Sequence, residues 1–178
     1  MNRKTAYIYS SEIEKYNYGP DHPMKPKKIS MAHDILQQSD VLHNFDLYES
    51  YLPCKEEIEV FHSKDYIEFI ENYFSDKEHL QKVEKFGIGY SSDTPAFPEF
   101  FDFSRITSGS SILSAELILQ NKNDIVVNWM GGFHHAKKSR ASGFCYFNDI
   151  VLGIKRLLSR FEKVRYNLLK YLLFRLCI

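Results

Sequence analysis

The chain of 178 residues is 44% hydrophobic, 15% aromatic and 26% charged, which is typical of one globular domain and excludes disordered, collagen-like and coiled-coil chains. Its 23 Lys and Arg residues balance its 23 Asp and Glu residues, so no basic excess indicates direct nucleic-acid binding. The three widely separated cysteines predict no disulfide framework, and no uncharged run reaches the roughly 17–25 residues of a membrane span, so we expect neither secretion nor a membrane partner.

The N-terminal half of the sequence predicts one strand and two helices. Residues 5–9 have the pattern of an opening strand. Three prolines between residues 19 and 28 exclude a continuous helix and predict an ordered loop, followed by a helix over residues 29–38. Apolar residues at helical spacing between residues 63 and 74 predict an amphipathic helix with Ser63 as its N-cap.

The C-terminal half alternates helices and strands. Residues 103–120 predict a helix with a slender side that can lie close against a sheet. The small residues of that side are Ser108, Gly109, Ser110 and Ser111. The apolar run 124–129 predicts a strand covered on both faces, and a helix follows with Asn148 as its N-cap and Asp149 favourably placed against the helix dipole. Residues 162–166 predict the next parallel strand, so we expect an α/β fold, an open parallel sheet with flanking helices.

Two adjacent histidines, His134 and His135, follow the predicted strand at residues 124–129. Ligands of parallel α/β sheets bind at the carboxyl ends of strands, and Gly131 and Gly132 allow backbone approaches that a Cβ atom would block. Adjacent imidazoles can divide proton transfer and electrostatic stabilisation between them. Alternatively, one histidine caps a helix or packs against the core and the other is exposed to solvent. The neighbouring glycines and the strand–loop–helix context favour a functional pair.

Three further features have both a functional and a structural interpretation. The glycine and aromatic run at residues 142–147 can line a narrow apolar slot for an aliphatic substrate stem, or it can belong to the core. Asp93 can accept hydrogen bonds from a substrate backbone, or it can form a turn. His22, between Asp21 and Pro23, is predicted to be a turn residue.

These segments together resemble a known family. The motifs that carry the resemblance are YGPDHPMKPKKISM from Tyr18, FHSKDYIEFI from Phe61, DTPAFPEFFDF from Asp93 and NWMGGFHHAKKSRASGFCYFNDIVLGI from Asn128. From about residue 4 to Tyr166 the chain resembles the N-terminal half of a class I zinc-dependent histone deacetylase. The resemblance implies an arginase/deacetylase-like fold, an open α/β domain with a central parallel sheet, and the hydrolysis of N6-acetyl-lysine in chromatin repression.

The resemblance also implies roles for individual residues. His134 and His135 match the paired active-site histidines, one a general base and the other its electrostatic partner. Asp93 matches the rim aspartate that holds the substrate backbone. Gly143 and Phe144 match residues of the tunnel that receives the acetyl-lysine stem.

A regulatory contact is implied for Lys25, which matches a basic residue that helps to bind an inositol phosphate in members recruited to corepressors. Asn17 and Asp21 replace the usual histidine and glycine of that loop, and the charge of Asp21 would repel a phosphate. Before Asp93, the segment 90–92 carries one or two extra residues relative to the family pattern.

The end of the chain departs most from the family. After Tyr166 the family continues into an Asp-x-Asp-x-His-His-Gly-Asp-Gly motif, which supplies two zinc ligands and the carboxylates that orient the histidine pair, whereas this chain reads NLLKYLLFRLCI. We therefore divide the chain into the N-terminal part of a histone deacetylase domain at residues 4–166 and a divergent apolar tail at residues 167–178. Zinc is the cofactor of the family, but its ligands are absent from this C-terminally truncated form, so we assign no metal ligand and expect the chain to be inactive by itself.

Partners and location are also implied by the resemblance. They are acetylated histone tails or other acetyl-lysine proteins as substrates, corepressor complex proteins as partners, and the nucleus, with the cytoplasm as a second location. The chain itself has three interpretations: an incomplete or mis-spliced translation of a full deacetylase, an inactive short form that acts as a binding module, or the product of a decayed gene. An end inside a predicted functional strand favours the first.

Overall fold

The computed structural model of the chain describes residues 3–89 and 93–167. Within these ranges it contains three strands and six α-helices. The strands are β1 (Thr5–Tyr9), β2 (Asp46–Glu49) and β3 (Ile125–Asn128). The helices are α1 (Lys27–Gln38), α2 (Lys55–Glu59), α3 (Lys64–Glu71), α4 (His79–Phe86), α5 (Phe100–Leu119) and α6 (Asp149–Leu157).

The three strands form one parallel sheet in the order β2-β1-β3. β1 is the central strand, with Ala6 and Ile8 fully buried, and it pairs Ala6 with Asp46 of β2 and with Val126 of β3. All carboxyl ends therefore meet at one edge of the sheet. The predicted α/β class, the open parallel sheet with flanking helices and the strand at residues 5–9 are confirmed.

Two expectations about strands are wrong. β3 is not covered on both faces, because Ile125 is 39% exposed and the other three residues of the strand are only partly buried. Residues 162–166 do not form a strand, since none of the described strands pairs with them and most of their side chains are exposed. A strand requires a neighbouring backbone as well as a suitable sequence. The predicted tail at residues 167–178 lies outside the described residues except for residue 167.

The predicted helices are confirmed with shifted ends. α1 begins two residues before the predicted start, and α5 begins three residues before it. Ser63 precedes α3 as predicted, but its hydroxyl donates a hydrogen bond to the Asp65 carboxylate instead of capping the helix backbone. The buried residues of α3 are those of the predicted apolar face: Tyr66, Ile67, Phe69 and Ile70.

The slender side of α5 allows two close approaches, as predicted. A Cβ atom at Gly109 would lie 1.9 Å from the carbonyl oxygen of Tyr51, so only glycine fits against the loop between β2 and α2. Ser110 and Ser111 accept hydrogen bonds from the side-chain amide of Asn128, at 2.9 and 3.1 Å. The small residues thus bring α5 against the carboxyl end of β3.

An aromatic core fixes the segment that leads from the histidines to α6. Tyr146 and Phe147 are buried in it, and the hydroxyl of Tyr66 donates a 2.7 Å hydrogen bond to the carbonyl oxygen of Tyr146. The Tyr146 ring also lies 5.1 Å from that of Phe100. Across the described ranges, no helix combines the length and the apolar character needed to cross a bilayer.

Candidate active site

The two predicted histidines lie side by side in the loop after β3. Their ring centroids are 4.2 Å apart, and the rings are tilted by 36°. The preceding glycines are required by the geometry: a Cβ atom at Gly131 would lie 2.4 Å from a carboxylate oxygen of Asp149, and Gly132 has a φ angle of +105°. The predicted close approach of the glycine loop is therefore confirmed.

The His134 ring is held in one tautomer by its own loop. Its Nδ1 atom lies 3.0 Å from the carbonyl oxygen of Gly132, and because a carbonyl oxygen only accepts, Nδ1 carries the proton. In the neutral ring, Nε2 then has a lone pair. This Nε2 atom is buried and makes no hydrogen bond among the described residues. His134 thus presents an unused proton-accepting nitrogen.

The carboxylate of Asp149 holds the start of the loop. It is buried and accepts hydrogen bonds from the backbone N–H groups of Gly132 at 3.0 Å and Phe133 at 2.7 Å, and from the hydroxyl of Ser111. Burial raises the pKa of this carboxyl group, while those three donors act in the opposite direction. Because all three partners donate, the ionised carboxylate satisfies them.

Asn148 holds the end of the loop. Its side-chain amide nitrogen donates to the carbonyl oxygens of His134 at 3.1 Å and Ala136 at 2.9 Å. Its side-chain oxygen accepts from the backbone N–H of Val151 at 3.1 Å, which confirms the predicted N-cap of α6. One side chain therefore caps the helix and fixes the backbone on both sides of His135.

His62, two residues before the start of α3, supports this arrangement. Its Nε2 atom accepts from the backbone N–H of Asn148 at 2.9 Å, and its Nδ1 atom donates to the carbonyl oxygen of Lys138 at 3.1 Å. The side chain is 1% exposed, and burial lowers the pKa of His62 to about 4. The ring is therefore neutral at physiological pH.

Gly143 and Phe144 form a tight turn against the histidine pair. Ser142 and Cys145 exchange backbone hydrogen bonds of 3.0 and 2.9 Å, and the φ angles between them are +50° and +71°. These values define a two-residue turn of type I′. A Cβ atom at Gly143 would lie 2.7 Å from Cγ of His135, so glycine is needed both for the turn and for the contact.

Phe144 occupies a left-handed backbone conformation that costs a non-glycine residue about 1–3 kcal/mol. Two contacts offset this cost. The hydroxyl of Tyr18 donates a 2.8 Å hydrogen bond to the carbonyl oxygen of Phe144. The Phe144 ring packs edge to face with the ring of His22, at 4.8 Å.

His22 connects the turn with the Asp93 loop. Its Nδ1 atom accepts from the backbone N–H of Met24 at 3.1 Å, so Nε2 carries the proton and donates to the carbonyl oxygen of Asp93 at 3.3 Å. Only 9% of His22 is exposed, whereas Asp93 is exposed. The hydrogen bond to Met24 is a local contact that fits a turn residue, and the His22 ring in addition links Asp93 to Phe144. The extra residues at 90–92 lie outside the described residues.

Lys25 makes its hydrogen bonds within its own loop. Its ammonium group donates to the carbonyl oxygens of Gly19 at 2.8 Å and Pro20 at 2.5 Å. The structure thus brings together His134, His135, Gly143 and Phe144, and it joins Asp93 to them through His22. Lys25 is not joined to this group by these contacts, and its ammonium group holds the loop at residues 19–25.

Cys145 does not provide a nucleophile. It is buried, and burial raises the pKa of its thiol to about 11. Its sulfur donates to the carbonyl oxygen of Gly143 at 3.2 Å. Because the thiolate is the reactive form, this buried thiol is poorly suited to act as a nucleophile.

The donor set for a metal ion is incomplete in the described part of the chain. Over residues 3–89 and 93–167, no three His, Cys, Asp or Glu side chains come together in a way that could hold a metal. The side chains in these two ranges therefore do not fit a zinc ion.

A separate cavity of about 660 Å³ lies among α2, α5 and α6. Ile112, Leu152 and Arg156 belong to its lining. None of the predicted site residues lines this cavity, so its volume does not bear on the histidine pair.

Comparison with known proteins identifies the family. The family sequence model for the histone deacetylase domain matches residues 22–166 of this chain. The chain is 40% identical over 166 residues to histone deacetylase 1 of Homo sapiens, covering 92% of this chain and 34% of that protein. It is 39% identical over 164 residues to type-1 histone deacetylase 1 of Dictyostelium discoideum, covering 92% of this chain and 33% of that protein. The chain spans about a third of the length of these curated relatives. As its motifs predicted, it belongs to the histone deacetylase family.

Proposed function

We propose that this chain supplies the histidine pair and one wall of the substrate tunnel of a lysine deacetylase, which hydrolyses N6-acetyl-lysine in histones. The observation that supports this most strongly is the state of His134. Its Nδ1–H is fixed by the Gly132 carbonyl, its Nε2 lone pair is unused, and the His135 ring lies 4.2 Å away.

The pair suits amide hydrolysis because that reaction needs two proton transfers. A water molecule must lose a proton as it attacks the acetyl carbonyl, and the departing lysine amine must gain one. One histidine acts as the general base that takes the proton of the attacking water and then returns that proton to the departing amine. The other stabilises the charge that develops, as the family resemblance implies. General-base catalysis contributes about 10²–10⁴-fold.

The substrate path runs along Gly143 and Phe144. In our proposal the Phe144 ring forms a wall for the aliphatic lysine stem, and Gly143 allows the stem to approach His135. Asp93 lies at the rim and holds the substrate backbone with its exposed carboxylate. The support for this arrangement is the His22 ring, which hydrogen bonds to the Asp93 backbone and packs on Phe144.

The cofactor of the complete reaction is zinc by family resemblance. Because the described side chains do not form a zinc site, we propose that the 178-residue chain hydrolyses no acetyl-lysine by itself. We further propose acetylated histone tails or other acetyl-lysine proteins as substrates and corepressor proteins as partners. The proposed location is the nucleus, with the cytoplasm as a second location, and the proposed inositol phosphate contact is Lys25.

A chimera tests this function. Residues 4–166 would replace the matching segment of human histone deacetylase 1, and hydrolysis of an acetylated histone peptide would be measured with zinc present. We expect activity in the chimera, a loss of at least about 100-fold in its His134→Ala and His135→Ala variants, and no activity in the 178-residue chain. A folded but inactive chimera would contradict the assignment of the site. Hydrolysis of the peptide by the 178-residue chain alone would contradict the proposal that the chain is inactive by itself.

A further inference from the structure

We propose that His62 is a positioning residue of the histidine pair: the Nε2 atom of its neutral ring holds the backbone of Asn148, and the side chain of Asn148 holds the loop of His134 and His135. The inference deepens the proposed function and rests on it for its catalytic meaning. The hydrogen bonds that carry it are independent of any substrate.

The first step is the double attachment of the His62 ring. Nε2 accepts from the backbone N–H of Asn148 at 2.9 Å, and Nδ1 donates to the carbonyl oxygen of Lys138 at 3.1 Å. The backbone N–H of Ser63 donates to the same carbonyl at 3.0 Å. His62 and Ser63, which precede α3, are therefore hydrogen bonded to both ends of the segment 138–148, which contains the Gly143-Phe144 turn.

The second step leads from Asn148 to the pair. While His62 holds the backbone of Asn148, the side chain of Asn148 donates to the carbonyl oxygens of His134 and Ala136, at 3.1 and 2.9 Å. Two successive hydrogen-bonded links thus join His62 to the carbonyl groups of His134 and Ala136, the residues on either side of His135. A shift of Asn148 would move both carbonyls.

The third step is the surroundings of the ring. His62 is 1% exposed and packs among the rings of Phe61, Tyr66 and Phe147, with centroids 4.8, 5.7 and 5.0 Å away. An unpaired polar group in such a place is unfavourable, so the loss of the Nε2 hydrogen bond would leave the backbone N–H of Asn148 unpaired and would favour a shift of Asn148. Burial also lowers the pKa of His62 to about 4, which keeps Nε2 an acceptor at physiological pH.

Three variants separate the two hydrogen bonds. His62→Gln keeps an acceptor near the position of Nε2, and His62→Asn keeps a donor near the position of Nδ1. His62→Phe keeps the ring shape with neither group. Because the proposal assigns the effect to Asn148, we expect His62→Gln to preserve the site and the other two variants to lose it.

The measurement uses the ¹⁵N-labelled 178-residue chain and long-range ¹H–¹⁵N spectra of its imidazoles. We expect the Nδ1–H signature of His134 in the wild type and in His62→Gln, and its loss in His62→Asn and His62→Phe. We also expect the amides of residues 134–136 to exchange about tenfold faster in those two variants. The matched control is Tyr66→Phe, which removes the buried 2.7 Å hydrogen bond to Tyr146 without touching Asn148. It should lower the thermal midpoint and leave the His134 signal unchanged.

Several outcomes would overturn the proposal. One is a wild-type His134 signal in His62→Asn and His62→Phe, and another is an equal disturbance in Tyr66→Phe. Failure of His62→Gln to fold would also overturn it, because that variant is expected to keep the native structure. If the chimera with human histone deacetylase 1 folds but is inactive while the His62 variants still change the His134 signal of the 178-residue chain, the proposed function fails and the positioning role stands.

Discussion

The histidine loop at residues 131–136 follows β3 and the segment at residues 158–167 follows α6, and the two are held in different ways. The loop is bound at its start by the carboxylate of Asp149 and at its end by the amide of Asn148, and both side chains are buried. The later segment has no strand partner in the described structure, and Phe161 is 42% exposed. Buried polar side chains, and not strand pairing with residues 162–166, therefore set the geometry of the histidine pair.

Removal of the Asp149 carboxylate should have the largest effect. We expect Asp149→Ala to lower the free energy of unfolding by about 3–5 kcal/mol, because it leaves two backbone N–H groups and the Ser111 hydroxyl without their acceptor. Urea denaturation measures the loss. Asp65→Ala, which removes a largely exposed carboxylate at the first turn of α3, is the control and should cost less than about 1 kcal/mol. Equal losses of unfolding free energy in the two variants would contradict the conclusion that the Asp149 carboxylate holds the histidine loop.

Acid should weaken the arrangement through His62. Its pKa in the folded chain, about 4, lies below the ordinary value near 6.5, so the unfolded chain binds the proton first as the pH falls. The stabilisation is complete above about pH 6.5 and falls by about 3 kcal/mol in total as the pH decreases to about 4. Urea denaturation at several pH values would measure this slope. His62→Gln should lack it, and an identical slope in that variant would assign the loss to other groups.

A methyl group at the turn should disturb His135 directly. Gly143→Ala places a Cβ atom 2.7 Å from Cγ of His135 at a φ angle of +50°, so we expect a loss of about 1–3 kcal/mol and shifted His135 resonances. Gly19→Ala is the control, since Gly19 also has a positive φ angle but a Cβ atom there meets nothing within 4 Å. It should lower stability and leave the His135 resonances in place. Unchanged resonances in Gly143→Ala would contradict the contact.

The segment after α6 should tolerate substitution best. Phe161→Ala removes a side chain that is 42% exposed, and we expect a change within about 0.5 kcal/mol in the free energy of unfolding. The His134 and His135 resonances should not move. A loss above about 2 kcal/mol would show that residues 158–167 contribute to the core, and would remove the contrast between the two regions.

The elements of the fold could be predicted because their signals are local. Apolar spacing located α3 and α5, and the Asn148 side chain capped α6 as its position indicated. The prediction of a strand at residues 162–166 was wrong because strand formation depends on a partner strand, which no local pattern reveals. The prediction that β3 is covered on both faces was wrong for a similar reason, because the burial of a strand depends on the elements packed around it.

The histidine pair could be predicted as a candidate site because its glycines and its place after a strand are visible in the sequence. The residues that hold the histidine pair in place could not be predicted from the sequence. His62 acts through hydrogen bonds to residues 76 and 86 positions away, and His22 through a contact 71 positions away. Asn148 and Asp149 carried a signal for helix capping, but their bonds to the loop depend on the approach of α5, β3 and α6.

The tautomer of His134 is the most direct test of the site. A long-range ¹H–¹⁵N spectrum of the wild-type chain at about pH 8, where an ordinary imidazole is neutral, distinguishes the two forms. We predict a proton on Nδ1, held by the Gly132 carbonyl, and an unprotonated Nε2. A proton on Nε2, or a rapid mixture of both tautomers, would contradict the fixed proton-accepting nitrogen on which the proposed deacetylase site depends.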